Sequence, residues 1–377
     1  MSLTGRPLLC LLIVAVLALV TGLTWGWRRL AGSGIGPVAA RLGALAVCQV
    51  LITLTVLVAI NRDFGFYESW TELARAGGAG GGGGGDGKLV QRQGQGGAAV
   101  ASKLIKRKPE VSVGGSEQAD GRLDTVDVRG VRSGLHARAY VYLPPQYFQP
   151  GADKRRFPVA IGLSGYPGAL RNLVTQVKVP QTARDEIKAG RVQPTIYVLL
   201  RPSMIPGRDT ECADVPGGAQ TATFFTQDLP EAVRGAYRVP DARKSWGVFG
   251  LSTGGYCSLK LAMRHSDVFA AAASLSGYYG ALKDITTGDL YGGSQTVRNE
   301  NDLFWRLEHL PPPPVSVLVT TSRVGEKNKE GTERFLSLVK PPMRASSLML
   351  DEGGHNFQTW NRVLPQVLRW MSRGLTV

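Results

Sequence analysis

Residues 8–27, LLCLLIVAVLALVTGLTWGW, run for twenty positions without a charge. As a helix, such a run crosses the ~30 Å hydrocarbon core of a bilayer. It closes on Trp25 and Trp27 and then Arg28 and Arg29, an interfacial aromatic belt followed by a basic flank. A second run, 36–60, carries one charge, Arg41, near its start, where the side chain can reach the interface. The length of the first run and the presence of the second favour two transmembrane helices, about 8–27 and 37–60. A cleaved signal peptide would have a shorter apolar core and a small-residue cleavage site. Arg28, Arg29 and Arg41 cluster at the connecting loop, against Arg6 alone before it and Arg62, offset by Asp63 and Glu68, after it. Positive charge stays on the cytoplasmic side. The expectation is a multi-pass cell-membrane protein, residues 1–62 in the bilayer, with the C-terminal part extracytoplasmic.

Residues 63–120 read as a linker. Within it, 77–87 is GGAGGGGGGDG, a flexible coil that buries no apolar surface. No strand precedes the run and no Lys-Ser/Thr follows it, so it is not a phosphate loop. From Lys88 to Lys108 there are six basic residues and no acidic one. A basic tether beside a bilayer leans on anionic head groups or envelope polyanions. The chain of 377 residues has 44 Lys+Arg against 29 Asp+Glu, net +15, but no aromatic-basic reading pattern, which argues against nucleic acid.

From residue 121 to the C-terminus the pattern changes. Apolar runs such as Val159–Leu163, Thr195–Leu200, Ser245–Phe249, Ala270–Leu275, Val315–Thr320 and Ser347–Leu350 alternate with helical stretches such as Thr223–Tyr237. Continuous Val/Ile/Leu/Ala runs are strands covered on both faces. Two leading β runs, Thr125–Val131 and Ala137–Leu143, imply an antiparallel entry; the rest implies a mostly parallel sheet in one α/β domain.

Gly250-Leu251-Ser252-Thr253-Gly254 matches G-x-S-x-G, and its context gives the match weight: an apolar strand leads in and a helix leads out. A sharp strand-to-helix turn lifts Ser252 out of the sheet, with glycines where side chains would clash. A serine hydroxyl needs a base. Of the four histidines, His136, His265 and His309 read as strand start, helix end and solvated helix end. His355, in DEGGHNF after the last strand, has the chain order of a Ser–acid–His triad. The acid should follow the strand SVLVTT; Glu326 comes first there, with Glu330 and Glu333 as alternatives in the next helix. The oxyanion needs two N–H donors. Thr253 supplies one, and the loop Leu163–Gly168 supplies the other, at Tyr166.

Together the elbow, the glycine loop and GGHNFQTW resemble the "putative esterase" branch of the α/β-hydrolases, which includes esterase D-type enzymes and the antigen 85 mycolyltransferases. The resemblance covers about Arg122 to the C-terminus. It implies the α/β-hydrolase fold, acyl transfer through a Ser252 acyl-enzyme with Glu326 and His355, and no cofactor. Phe357 and Trp360 stand where this branch has an aromatic residue and a Trp after its histidine. The mycolyltransferases hold a sugar acceptor with an Asp and an Arg in the glycine loop. Here that stretch is Ser-Gly-Tyr-Pro-Gly, so a trehalose acceptor does not carry over.

Cys10 and Cys48 fall in the apolar runs. Cys212, in the long loop 207–220, and Cys257, on the helix after the elbow, can pair in an oxidising compartment; the other reading is two buried thiols. Metal-ligand spacing is absent from the sequence. The reading that results is a membrane-tethered serine esterase or acyltransferase. Its partners would be the bilayer and an ester, with a lipid or envelope glycoconjugate suggested by the basic balance. A catalytically silent envelope-binding module and a serine peptidase on the same fold are the other classes weighed.

Overall fold

In the computed structural model, residues 5–30, 32, 34–64, 70, 73, 101–205 and 207–377 are described. The contacts divide the chain into two compact units, residues 1–81 and 82–377. The glycine run 77–87 and the basic stretch up to residue 100 lie outside the described residues.

In the first unit, helices Arg6–Gly26 and Ile35–Phe64 pack on each other. Both are long and apolar enough to cross a membrane, by length and composition, and both are almost unburied. A signal sequence near an N-terminus meets the same test. Arg41 turns back along its helix and donates to Gly32 O at 2.9 Å, beside the turn between the helices.

The second unit is built on a nine-stranded sheet: β1 Lys103–Ser112, β2 Arg122–Arg129, β3 His136–Leu143, β4 Val159–Leu163, β5 Ile196–Leu200, β6 Trp246–Leu251, β7 Ala271–Leu275, β8 Ser316–Val324 and β9 Arg344–Glu352. Their order is β1-β2-β3-β5-β4-β6-β7-β8-β9. The first three are antiparallel, β3 meets β5 antiparallel, and β5 through β9 are parallel. Alternate residues of one strand feed opposite faces, as the pleat requires. Val159, Ile161 and Leu163 enter one core with Leu259 and Leu261 of the helix Thr253–Arg264. Ala160 enters the other with Val363, Leu364 and Val367 of the C-terminal helix Phe357–Gly374.

Three features depart from the sequence reading. Strand β1 occupies residues read as linker and pairs with β2 from Lys103↔Arg129 to Ser112↔Arg122. Its KLIKRKPEVS sequence hides the strand signal, because charges and a proline are how an edge strand blocks further pairing. The other edge, β9, extends beyond the expected Ser347–Leu350, because its half-exposed residues lack apolar alternation. The helix expected over 223–237 is present as one helical run from Thr221 to Ala236, but a π-turn, Phe224–Asp228, interrupts it between Thr221–Thr223 and Leu229–Ala236. Pro230 there has no N–H to continue the α ladder.

Candidate active site

The elbow is where β6 ends. Ser252 adopts φ 54°, ψ −121°, a backbone state that L-residues rarely hold, and the helix Thr253–Arg264 begins at the next residue. The turn is possible because its neighbours lack side chains: a Cβ at Gly250 would overlap Gly254 O, and one at Gly254 would overlap Ser164 O. Ser252 N donates to Leu275 O at 2.9 Å, tying the elbow to the end of β7. Gly255 N and Tyr256 N close the first turn on Ser252 O at 2.9 and 3.1 Å. The half-buried serine therefore sits at a helix N-terminus, where negative charge is favoured. Gly165 lies against it: a Cβ there would stand 3.3 Å from Ser252 Cβ and 3.9 Å from Ser252 Oγ. The Ser164–Gly168 loop that contains Tyr166 thus packs against the elbow through Ser164 and Gly165.

Glu326 and His355, the acid and base expected from the sequence, lie in the loops after β8 and β9, at the same end of the sheet. Gly325 ends β8 with φ 93°, and Glu326 follows. Its side chain is only 2% exposed, and Oε2 lies 3.7 Å from His355 Nδ1. Oε1 accepts from Ser276 Oγ at 2.5 Å, and that hydroxyl accepts from Trp360 Nε1 at 2.9 Å. Ser276, at the end of β7, has φ 53°. The His355 ring stands edge-on to Trp360, centroids 5.1 Å apart, with half of its side chain exposed.

At 3.7 Å the Glu326–His355 contact is an ion-pair distance, longer than a hydrogen bond. Ser252 Oγ and His355 are not hydrogen-bonded in this structure; catalytic hydrogen bonds often tighten only when substrate is bound. Among the acids considered from sequence, Glu326 is the one within ion-pair distance of His355. Glu330 is exposed and Glu333 pairs with Lys329 at 4.0 Å; Asp351, an acid of β9 outside that set, pairs with Arg323 at 3.6 Å. His265 caps the far end of the elbow helix, and His309 bonds Trp305 O at 2.9 Å. His136 opens β3.

Cys212 and Cys257 are bonded, Cα atoms 5.7 Å apart, so the long loop is joined to the elbow helix. Beside this bond lies a buried polar group that the sequence reading did not single out. Thr253 Oγ1 donates to Asp209 Oδ2 at 3.2 Å, and Glu211 N donates to Asp209 Oδ1 at 2.9 Å. The Glu211 carboxylate accepts from Tyr278 OH at 2.8 Å and Tyr291 OH at 3.0 Å. Burial pushes Asp209 up to about 6, against the pull of its two hydrogen bonds. Burial also raises Glu211 and lowers Lys260, and the attraction between them opposes both shifts. The available signal was local: two acids, Asp209 and Glu211, within three residues of Cys212. Among the described residues, no group of three or more His, Cys, Asp or Glu side chains is placed to hold a metal ion.

A mostly parallel sheet, helices on both faces and a strained serine between strand and helix define an α/β-hydrolase. The "Putative esterase" family profile matches residues 133–371, well over half of the chain. The protein belongs to that family of hydrolases. An uncharacterized protein of Corynebacterium glutamicum is 25% identical over 254 residues, 64% of this chain; the match spans 58% of that relative's length. Among solved structures, an S-formylglutathione hydrolase from Agrobacterium tumefaciens superposes with TM-score 0.59 at 14% identity, covering 73% of this chain and 100% of its own. A ferulic acid esterase superposes at 0.56 with 18% identity, over the same shares. At these identities the structural matches speak to fold.

Proposed function

We propose that the chain is a membrane-tethered, extracytoplasmic serine esterase or acyltransferase that works through a Ser252 acyl-enzyme. One observation supports this most: the elbow serine at φ 54° stands at the same sheet end as a buried Glu326 paired with His355. In this reading His355 removes the Ser252 proton as Oγ attacks the ester carbonyl. Glu326 holds one imidazole tautomer and stabilises the imidazolium. The Thr253 and Tyr166 N–H groups receive the oxyanion. His355 then protonates the departing alcohol, and water or a second alcohol, deprotonated by the same ring, releases the acyl group. Hydrolase and transferase differ only in which hydroxyl arrives.

The two apolar helices and the arginines between them support a bilayer anchor with the hydrolase outside. The basic balance supports an ester presented by a lipid or an envelope glycoconjugate. A fluorophosphonate probe with p-nitrophenyl acyl esters tests the chemistry: wild type is labelled and turns over, and Ser252→Ala does neither. Unlabelled, folded wild-type chain refutes the reading. For the topology, alkaline phosphatase fused after Val377 is active only if that end lies in an oxidising compartment.

A further inference from the structure

The loop Asp209–Cys212 is bound along one face of the elbow helix. Thr253, Cys257 and Lys260 are spaced i, i+4, i+7, so they project to the same side. Thr253 meets Asp209 through a hydrogen bond, Cys257 meets Cys212 through the disulfide, and the Lys260 charge acts on Glu211. The far side of the loop is fixed as well. Asp209 N donates to Thr286 O at 3.0 Å, and Leu282 N joins Tyr278 and Tyr291 on the Glu211 carboxylate. Asp209, Glu211, Thr253 and Lys260 are all buried, and Glu211 and Cys212 hold φ of 47° and 53°.

This is a costly way to pack a loop. Apolar side chains of similar volume generally stabilise as well as buried charges, or better. The polar chain instead runs from Glu211 through Asp209 to the Thr253 hydroxyl, in the residue whose peptide N–H faces the substrate carbonyl in the mechanism above. That N–H belongs to the first turn of a helix and has no intrahelical acceptor. Its direction depends on what holds the residue.

We infer that Asp209 is a positioning residue for the acyl-transfer reaction, holding the Thr253 side chain so that the Thr253 N–H points at the developing oxyanion. The inference rests on the reading of Ser252 as the nucleophile. Glu211 orients Asp209 through its own N–H and is fixed by two tyrosines. A bare carboxylate close to an oxyanion would raise the barrier. Lys260, buried over the Tyr256 ring at 4.8 Å with no hydrogen-bond partner among the described residues, is the basic group whose charge lowers both carboxylates, against their burial.

The test uses the full-length chain in detergent, with p-nitrophenyl butyrate as substrate and an aryl trifluoromethyl ketone as transition-state analogue. Asp209→Ala lowers kcat about 10–100-fold, short of the roughly 10²–10³-fold loss of a whole oxyanion donor. KM stays within about twofold, and the ketone Ki rises by the same factor as kcat/KM falls. Asp209→Asn, which can still accept from Glu211 N and donate to Thr253 Oγ1, recovers at least half of the loss on a logarithmic scale. Thr253→Val reproduces the Asp209→Ala defect, and the double variant is no worse than the poorer single one. If Asp209→Ala does not fold, Thr253→Val carries the same readouts.

Near-wild-type kcat in either variant, losses that multiply in the double variant, or an unchanged ketone Ki overturns the inference. Wild-type chain that hydrolyses no ester overturns the esterase reading first. Normal wild-type turnover with an indifferent Asp209→Ala overturns this inference alone.

Discussion

Trp360 Nε1 donates to Ser276 Oγ at 2.9 Å, and the same hydroxyl donates to Glu326 Oε1 at 2.5 Å. The C-terminal helix, the end of β7 and the loop after β8 thus meet on one oxygen. Ser276→Ala strips a partner from both a buried carboxylate and a buried indole. Leaving such groups unpaired costs about 1–3 kcal/mol, more for a charge. We expect a lower denaturation midpoint and a roughly 5–20-fold lower kcat with KM little changed, measured by urea titration and ester kinetics. Wild-type kcat in this variant would show that Glu326 needs no such support.

Ser252 holds a backbone state that glycine adopts without penalty. Ser252→Gly should therefore abolish ester turnover while raising stability by about 1 kcal/mol, the usual cost of such strain. Thermal unfolding of the two chains side by side checks this; a less stable glycine variant would mean that the elbow is not strained.

Asp209 gives a pH signature. Burial raises it from 3.8 to about 6 in the folded chain. The fold holds its proton more tightly than the unfolded chain does. Its contribution to stability is complete below 3.8 and is lost as the pH rises through about 6. Asp209→Asn, neutral throughout, should exceed wild type at pH 8 by about 1–3 kcal/mol and approach it near pH 4. Denaturant unfolding at the two pH values reads the difference; an equal gap at both would contradict it.

The Cys212–Cys257 bond closes a sequence separation of 45 residues. A loop of that size stabilises by about 4 kcal/mol in the chain-entropy picture. Both cysteines are buried, so reductant should act slowly on the native chain. Once they are reduced, the melting temperature should fall by several degrees, as in Cys212→Ser. No drop would mean that the loop is held by its hydrogen bonds alone.

What the sequence disclosed followed from how local each signal is. The elbow was legible because strand, glycines, serine and helix are contiguous from Trp246 to Arg264. The placement of His355 beside Glu326 was legible through chain order and the strand before it. Strand β1 was not, because an edge strand carrying Lys and Pro looks like a tether. Ser276 and Asp209 were not, because a serine in SLSG and an acid in RDTEC acquire partners only when segments 50 and 44 residues away fold against them. Buried polar groups are specified by the tertiary structure, and no spacing rule encodes them.

The bare backbones of Gly325 and Gly353 lie against each other: a Cβ on Gly325 would overlap Gly353 O, and Gly353 N donates to Val324 O at 3.0 Å. One glycine precedes Glu326 and the other precedes Gly354 and His355. With no side chain between them to yield, neither loop can slide past the other. A ligand that pushes on the backbone before His355 therefore presses on the turn before Glu326 as well, so the two segments that present the imidazole and the carboxylate stay in step.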